Sequence, residues 1–133
     1  MAVNITGTKS YTDIDINFGA HPVTGDIIKK TGVNAIIQSI VDIVQLGHYE
    51  KPFHPEIGSG VRQYLFELAD PITATQLAKE IKVAISNFEP RADVINVFAE
   101  ATNAGNGYNI IIEFFVVGVA DPISITVFLE RIR

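Results

Sequence analysis

The chain has 133 residues, of which 47% are apolar and 19% charged, enough for the core of one folded unit and too apolar for disorder over its bulk. Fifteen acids against ten bases leave a net charge of -5, so no cationic surplus exists to displace counterions from a nucleic acid, and none is expected as a partner. The absence of cysteine excludes disulfides, thiolate metal sites and a cysteine nucleophile.

Residues 1–25 are polar and turn-rich, with Asp13, Asp15, Gly19, Pro22 and Gly25, and predict an extended arm ahead of a single domain over 1–133. The opening MAVNITGTKSYTDIDINF has no charged head followed by an apolar run, so it reads as neither signal peptide nor anchor. Asn4-Ile5-Thr6 matches a glycosylation sequon, expected to be incidental without a secretory context. From Val33 to Leu46 the apolar residues Val33, Ile36, Ile37, Ile40, Val41 and Val44 recur at helical spacing, and Gly47 supplies a stop. Several of them are β-branched, so this first helix is expected to rest on burial rather than propensity.

The segment HYEKPFHPEIGSG, residues 48–60, places two prolines and two glycines around Phe53 and Ile57, which predicts a loop ordered by two apolar pegs. Val61, Tyr64, Leu65 and Leu68 predict a second helix of about two turns, ending before Asp70-Pro71. Thr73 and Gln76 read as a capping box for a third helix, whose face is Leu77, Ile81, Ala84, Ile85 and Phe88. After Pro90 the period becomes two: Ile95, Val97, Ala99 and Ala101 share one face, and Val94 and Phe98 lie on the other. Asn103–Gly107 is a hairpin turn, Tyr108–Val119 a second strand apolar on both faces, and Ile123–Arg133 a third strand beyond Asp121-Pro122. The fold class expected is α+β: an amino-terminal arm, three helices, then a three-stranded antiparallel meander. No apolar run approaches the roughly 20 residues of a membrane helix, so no membrane span is expected.

The candidate chemistry is thin. His48, Glu50, His54 and Glu56 share one loop, but the spacing lacks two imidazoles on one helical face, and no metal or other cofactor is expected. Gly58-Ser59-Gly60 precedes a helix without the lysine or third glycine of a phosphate or dinucleotide loop. Glu56, Glu89 and Asp93 are available by type for glycoside hydrolysis, which needs two carboxyls at a defined separation, one with a raised pKa. Glu89-Pro90-Arg91 is more informative. It sits where the best helix ends and the sheet begins, and the fixed φ of proline aims an acid and a rigid guanidinium fork in set directions.

Four stretches in order, Tyr11-Thr12-Asp13-Ile14-Asp15 with Phe18, Lys51 to Gly60 (KPFHPEIGSG), Leu65-Phe66-Glu67 and Glu89-Pro90-Arg91, together resemble the baseplate wedge or sheath-initiator proteins of contractile-tailed phages and related secretion machines. The resemblance implies a non-catalytic structural component of a six-fold virion tail baseplate, assembled in the host cytoplasm, whose carboxy-terminal sheet resembles part of a sheath subunit and starts sheath polymerisation. It implies other wedge proteins, the tail sheath protein and the tube or hub proteins as partners, with Glu89, Pro90 and Arg91 contacting a bundle of wedge helices. His54 departs from the family's usual residue there. Some relatives carry a lysozyme label, which keeps a peptidoglycan hydrolase using Glu56 or Glu89 as the competing reading; an adaptor in a bacterial secretion machine is a third. Phe53, Tyr108, Ile125 and Val127 complete the expected partner interface, because a meander has two unpaired borders and Tyr108–Val119 shows little protection. Replacing Glu89 or Arg91 by alanine is expected to spare the isolated fold.

Overall fold

The computed structural model describes residues 11–132. The first ten residues of the expected arm, Asn4-Ile5-Thr6 within them, and Arg133 at the expected end of the last strand lie outside that range. In chain order the elements are β1 (Thr12–Ile14), β2 (Lys29–Thr31), α1 (Val33–Gln45), α2 (Val61–Tyr64), α3 (Pro71–Phe88), β3 (Ala92–Ala101), β4 (Gly107–Val116) and β5 (Ile123–Glu130). The α+β reading is therefore met, with three helices and two antiparallel sheets.

The described part of the expected arm folds back on itself. Thr12, Asp13 and Ile14 pair with Thr31, Lys30 and Lys29, and Lys30 meets Asp15 at 3.1 Å. The ribbon is fixed to α1 by a single buried amide: Gln38 Nε2 donates to the Ile14 carbonyl at 2.7 Å, and its Oε1 accepts from the Ile16 N–H at 3.3 Å. Strands of three residues with mostly exposed side chains carry no readable period, which is why the sequence suggests only an arm.

Helix α1 buries Ile36, Ile40 and Val44 of the expected stripe, with Ala35 and Ile43 beside them, while Val33, Ile37 and Val41 are only partly buried. Helix α3 starts earlier than the expected capping box. Asp70 is the N-cap, its Oδ1 accepting from the Thr73 N–H at 2.7 Å, and Pro71 occupies the first turn, where a missing N–H costs nothing. The second helix is one turn rather than two; beyond Tyr64 the chain tightens into i to i+3 bonds, from Phe66 N–H to Gln63 and from Glu67 N–H to Tyr64, and leaves Leu68 exposed.

Strands β3, β4 and β5 form an antiparallel meander in that order. The register pairs Val97 with Ile112 and Ile112 with Ile125, so one row from each strand faces the helices. Residues Tyr108, Ile110, Ile112, Phe114 and Val116 of β4 are buried there with Val127 and Leu129 of β5. A bulge between Val94 and Asn96 inserts Ile95 as an extra residue. Val94 and Val97 thereby both reach the core and Ile95 is turned out, which reverses the face expected for Val94 and Ile95. Helix α3 lies on β3 and against α1, which closes the core on that side only.

The alternation sets a sharp contrast between neighbours. Ile112→Ala is expected to cost about 2–5 kcal/mol in urea unfolding, as for a fully buried branched side chain, and Ile111→Ala, half exposed on the opposite face, less than about 1 kcal/mol.

Candidate functional site

The Glu89-Pro90-Arg91 corner is built at the α3–β3 junction. Glu89 ends α3 with its N–H on the Ile85 carbonyl, Pro90 lies exposed in the turn, and Arg91 precedes the first residue of β3. The Glu89 side chain turns inward and is 1% exposed. Its two oxygens accept the Arg91 fork, Nε on Oε1 and Nη2 on Oε2, each at 2.5 Å, and Oε1 also faces the Arg91 N–H at 3.3 Å. The other face of the guanidinium covers the Tyr11 ring, 5.0 Å from its centroid. Burial pushes the Glu89 carboxyl up, but the Arg91 hydrogen bonds, the Ser39 hydroxyl and the Arg91 charge outweigh it and hold the group below the ordinary glutamate range. The same pair holds Arg91 above its ordinary range. Glu89 is thus occupied within the chain, and the surface of this corner is made by Pro90 and the partly exposed Arg91.

Loop 47–60 closes into a ring. Ser59 N–H donates to the Leu46 carbonyl at 2.8 Å, Tyr49 N–H to Pro55 at 3.0 Å, and the buried Ser59 hydroxyl to Val44 at 3.0 Å. At Gly58, φ is +140°, and a Cβ there would stand 2.8 Å from the Gly47 carbonyl oxygen, so only glycine fits. Phe53 is not the peg expected: it is 97% exposed at the tip, and Tyr49 is 85% exposed, both with backbone in the left-handed region. The N–H groups around Gly58-Ser59-Gly60 are spent on internal acceptors, Leu46 for Ser59 and Glu80 Oε1 for Gly60.

The two borders of the meander differ. Along β3 the bulge breaks the pairing geometry, and Lys82 reaches over from α3 to donate to the Ile95 carbonyl at 3.1 Å; a bulge and a lysine are two of the standard means of blunting an edge. The strand order leaves the outer side of β5 without a neighbouring strand. A groove of about 270 Å³ runs beside its end, lined by Leu129 and Glu130 with Val44, Val61, Leu65 and Ile132. The sequence points to Tyr108–Val119 as the unprotected border, but β4 is the central strand. Tyr108 and Val127 are core residues here rather than surface ones, since the pleat turns them toward the helices. Ile125 is partly buried against that core.

Two of the carboxylates expected for hydrolysis, Glu56 and Glu89, are held low. Glu56 is exposed against His54 at 3.1 Å, and its own backbone N–H with the His54 hydrogen bond holds its carboxyl low. Glu56 and Glu89 are both held on the side opposite to that of a general acid. Among the described residues no group of three or more His, Asp or Glu side chains is placed to hold a metal, and no helix is long and apolar enough to cross a membrane.

Comparison with known proteins gives one family. Residues 30–118 match the family model described as baseplate wedge protein gp25. The baseplate wedge protein gp25 of Enterobacteria phage T4 is 31% identical over 118 residues, covering 87% of each chain. Two solved structures share the fold. A protein of Geobacter sulfurreducens that carries the provisional name tail lysozyme superposes with a TM-score of 0.68 at 23% identity, over 74% of this chain and 89% of its own. A chain of the anti-feeding prophage baseplate superposes with a TM-score of 0.72 at 19% identity, over 84% and 90%.

Because Glu89 is buried, Arg91→Ala is not expected to spare the fold: it strands a carboxylate and should cost about 3 kcal/mol at pH 7. The folded pKa of Glu89 is lowered, so the stability it confers is in full above the unfolded value near 4.3 and is lost as pH falls through the folded one. Urea unfolding across pH 2–7, a range of about five units set by those values, should show the gap between wild type and Arg91→Ala closing at the acid end.

Proposed function

The chain belongs to the gp25 family of baseplate wedge proteins, and from that membership we propose that it is a non-enzymatic assembly component that docks on the wedge helices and initiates the sheath by offering β5 as a strand template. The observation that carries the proposal is the unequal treatment of the two borders. Only β3 is bulged and lysine-covered, while β5 is left with a groove beside it. An incoming extended arm of a sheath subunit gains main-chain hydrogen bonds along β5, and its alternate side chains enter the groove. Pro90 and Arg91 form the docking corner, with Glu89 as the residue that holds Arg91 in place, and Phe53 on the separate loop 47–60 is a further contact. The other wedge proteins and the tube or hub are the remaining partners in this reading.

The hydrolase reading rests on the provisional name of one structural relative, and the low-lying carboxyls of Glu56 and Glu89 do not support it. Wall-turbidity measurement with the purified chain should show no clearing.

Deleting Ile123–Arg133 would remove core residues Val127 and Leu129, so the informative variant is a proline at a β5 position whose N–H faces away from β4. It is expected to leave the chain in completed baseplates and to stop sheath growth on them. Full-length sheaths on such particles would overturn the template mechanism.

A further inference from the structure

The meander has helices on one face only, and the opposite face is uncovered and sets large apolar side chains among polar ones. Its rows are fixed by the register: Phe98 lies opposite Ile111, which lies opposite Thr126; Glu100 lies opposite Asn109, which lies opposite Phe128. Phe98 is 53% and Phe128 52% exposed, and Ile95, Ile111 and Phe115 are exposed beside them. An antiparallel sheet with one free face normally alternates apolar in and polar out; this one carries large apolar groups at the centre of both faces.

The charges on that outer face are all of one sign. Asp93 and Glu100 project from β3, Glu113 from β4 and Glu130 from β5, each in register with the outward row. No lysine or arginine occupies an outward position of the three strands. The nearest bases are engaged elsewhere, Lys82 on the Ile95 carbonyl at the β3 edge and Arg131 Nε on the Glu67 carbonyl.

We propose that this face binds an amphipathic helix of another protein chain, one with an apolar stripe flanked by lysine or arginine. Three strands about 4.8 Å apart offer a band about 10 Å wide between the outer two, which matches the roughly 10 Å diameter of a single helix. A helix laid there completes a helix–sheet–helix sandwich and buries the two phenylalanine rings and Ile111. The four carboxylates then surround the helix and select basic flanks. A second copy of this chain is disfavoured, because the same face would set four acids against four in a chain already at net charge -5. An anionic bilayer is disfavoured for the same reason. This surface is the flat of the sheet; Phe128 and Glu130 also line the groove at the β5 border, whereas Phe98, Ile111, Asp93, Glu100 and Glu113 do not, so these five separate the two proposals.

Zero-length carbodiimide cross-linking of assembled baseplates, read by mass spectrometry, tests it. The expected result is Asp93, Glu100, Glu113 or Glu130 joined to lysines of another chain that lie on a helix beside apolar residues at i, i+3 and i+4. Those links should fall at least tenfold in particles carrying Phe98→Thr with Ile111→Thr, two exposed positions clear of the β5 groove where threonine suits a strand. No links from these carboxylates, links to a second copy, links to an extended segment, or links unchanged in the double variant would each overturn the proposal.

Discussion

The molecule turns on a carboxylate withdrawn from water. Glu89 sits at the end of the longest helix and the start of the main sheet, with both oxygens filled by the fork of a residue only two positions away. A buried carboxylate tolerates no loss of its partner, so the angle at which α3 meets β3 is fixed by that pair. Tyr11 stacks on the same guanidinium, which ties the β1–β2 ribbon into the junction. Three separate parts of the chain thus share one cation.

From that junction follows an asymmetric sheet. Helix α3 is held over β3, where Lys82 can reach the strand edge, and the bulge at Ile95 adds to the blunting. The far strand, β5, receives no such treatment; the chain beyond it is tied down at Arg131, whose N–H meets the Asn106 carbonyl and whose Nε meets the Glu67 carbonyl, and at Ile132, whose N–H meets the Leu65 carbonyl. A protein of the gp25 family is a baseplate component, and the open border and the uncovered flat are the two surfaces on which the proposals above place its neighbours.

Much of this was readable from the residues. The stripe of α1, the face of α3 and the Asn103–Gly107 turn between two strands are local patterns legible in the residues. What escaped was non-local or one residue long. The β1–β2 ribbon depends on Gln38, more than twenty positions away from the carbonyl it holds. The bulge shifts two faces by a single insertion that no pattern announces. Asp70-Pro71 was read as a stop for the helix before it, although the same dipeptide starts the helix after it. Glu89-Pro90-Arg91 reads as a corner in the sequence, but that the acid turns inward does not, since sequence shows residue types and not which way a carboxylate turns. Phe53 reads as a peg of its own loop as well as a partner contact, and only its outward direction escapes the sequence, because the ring closed between Gly47 and Ser59 sets it.

That ring leaves Phe53 and Tyr49 in a backbone region that L-residues avoid by about 1–2 kcal/mol. Glycine at either place would relax the free chain, so the aromatic tip costs the solitary molecule stability. Under the docking role proposed for it, selection for a sturdier monomer and selection for a working particle would pull this loop in opposite directions, and screening variants for thermal tolerance alone would erode the tip first.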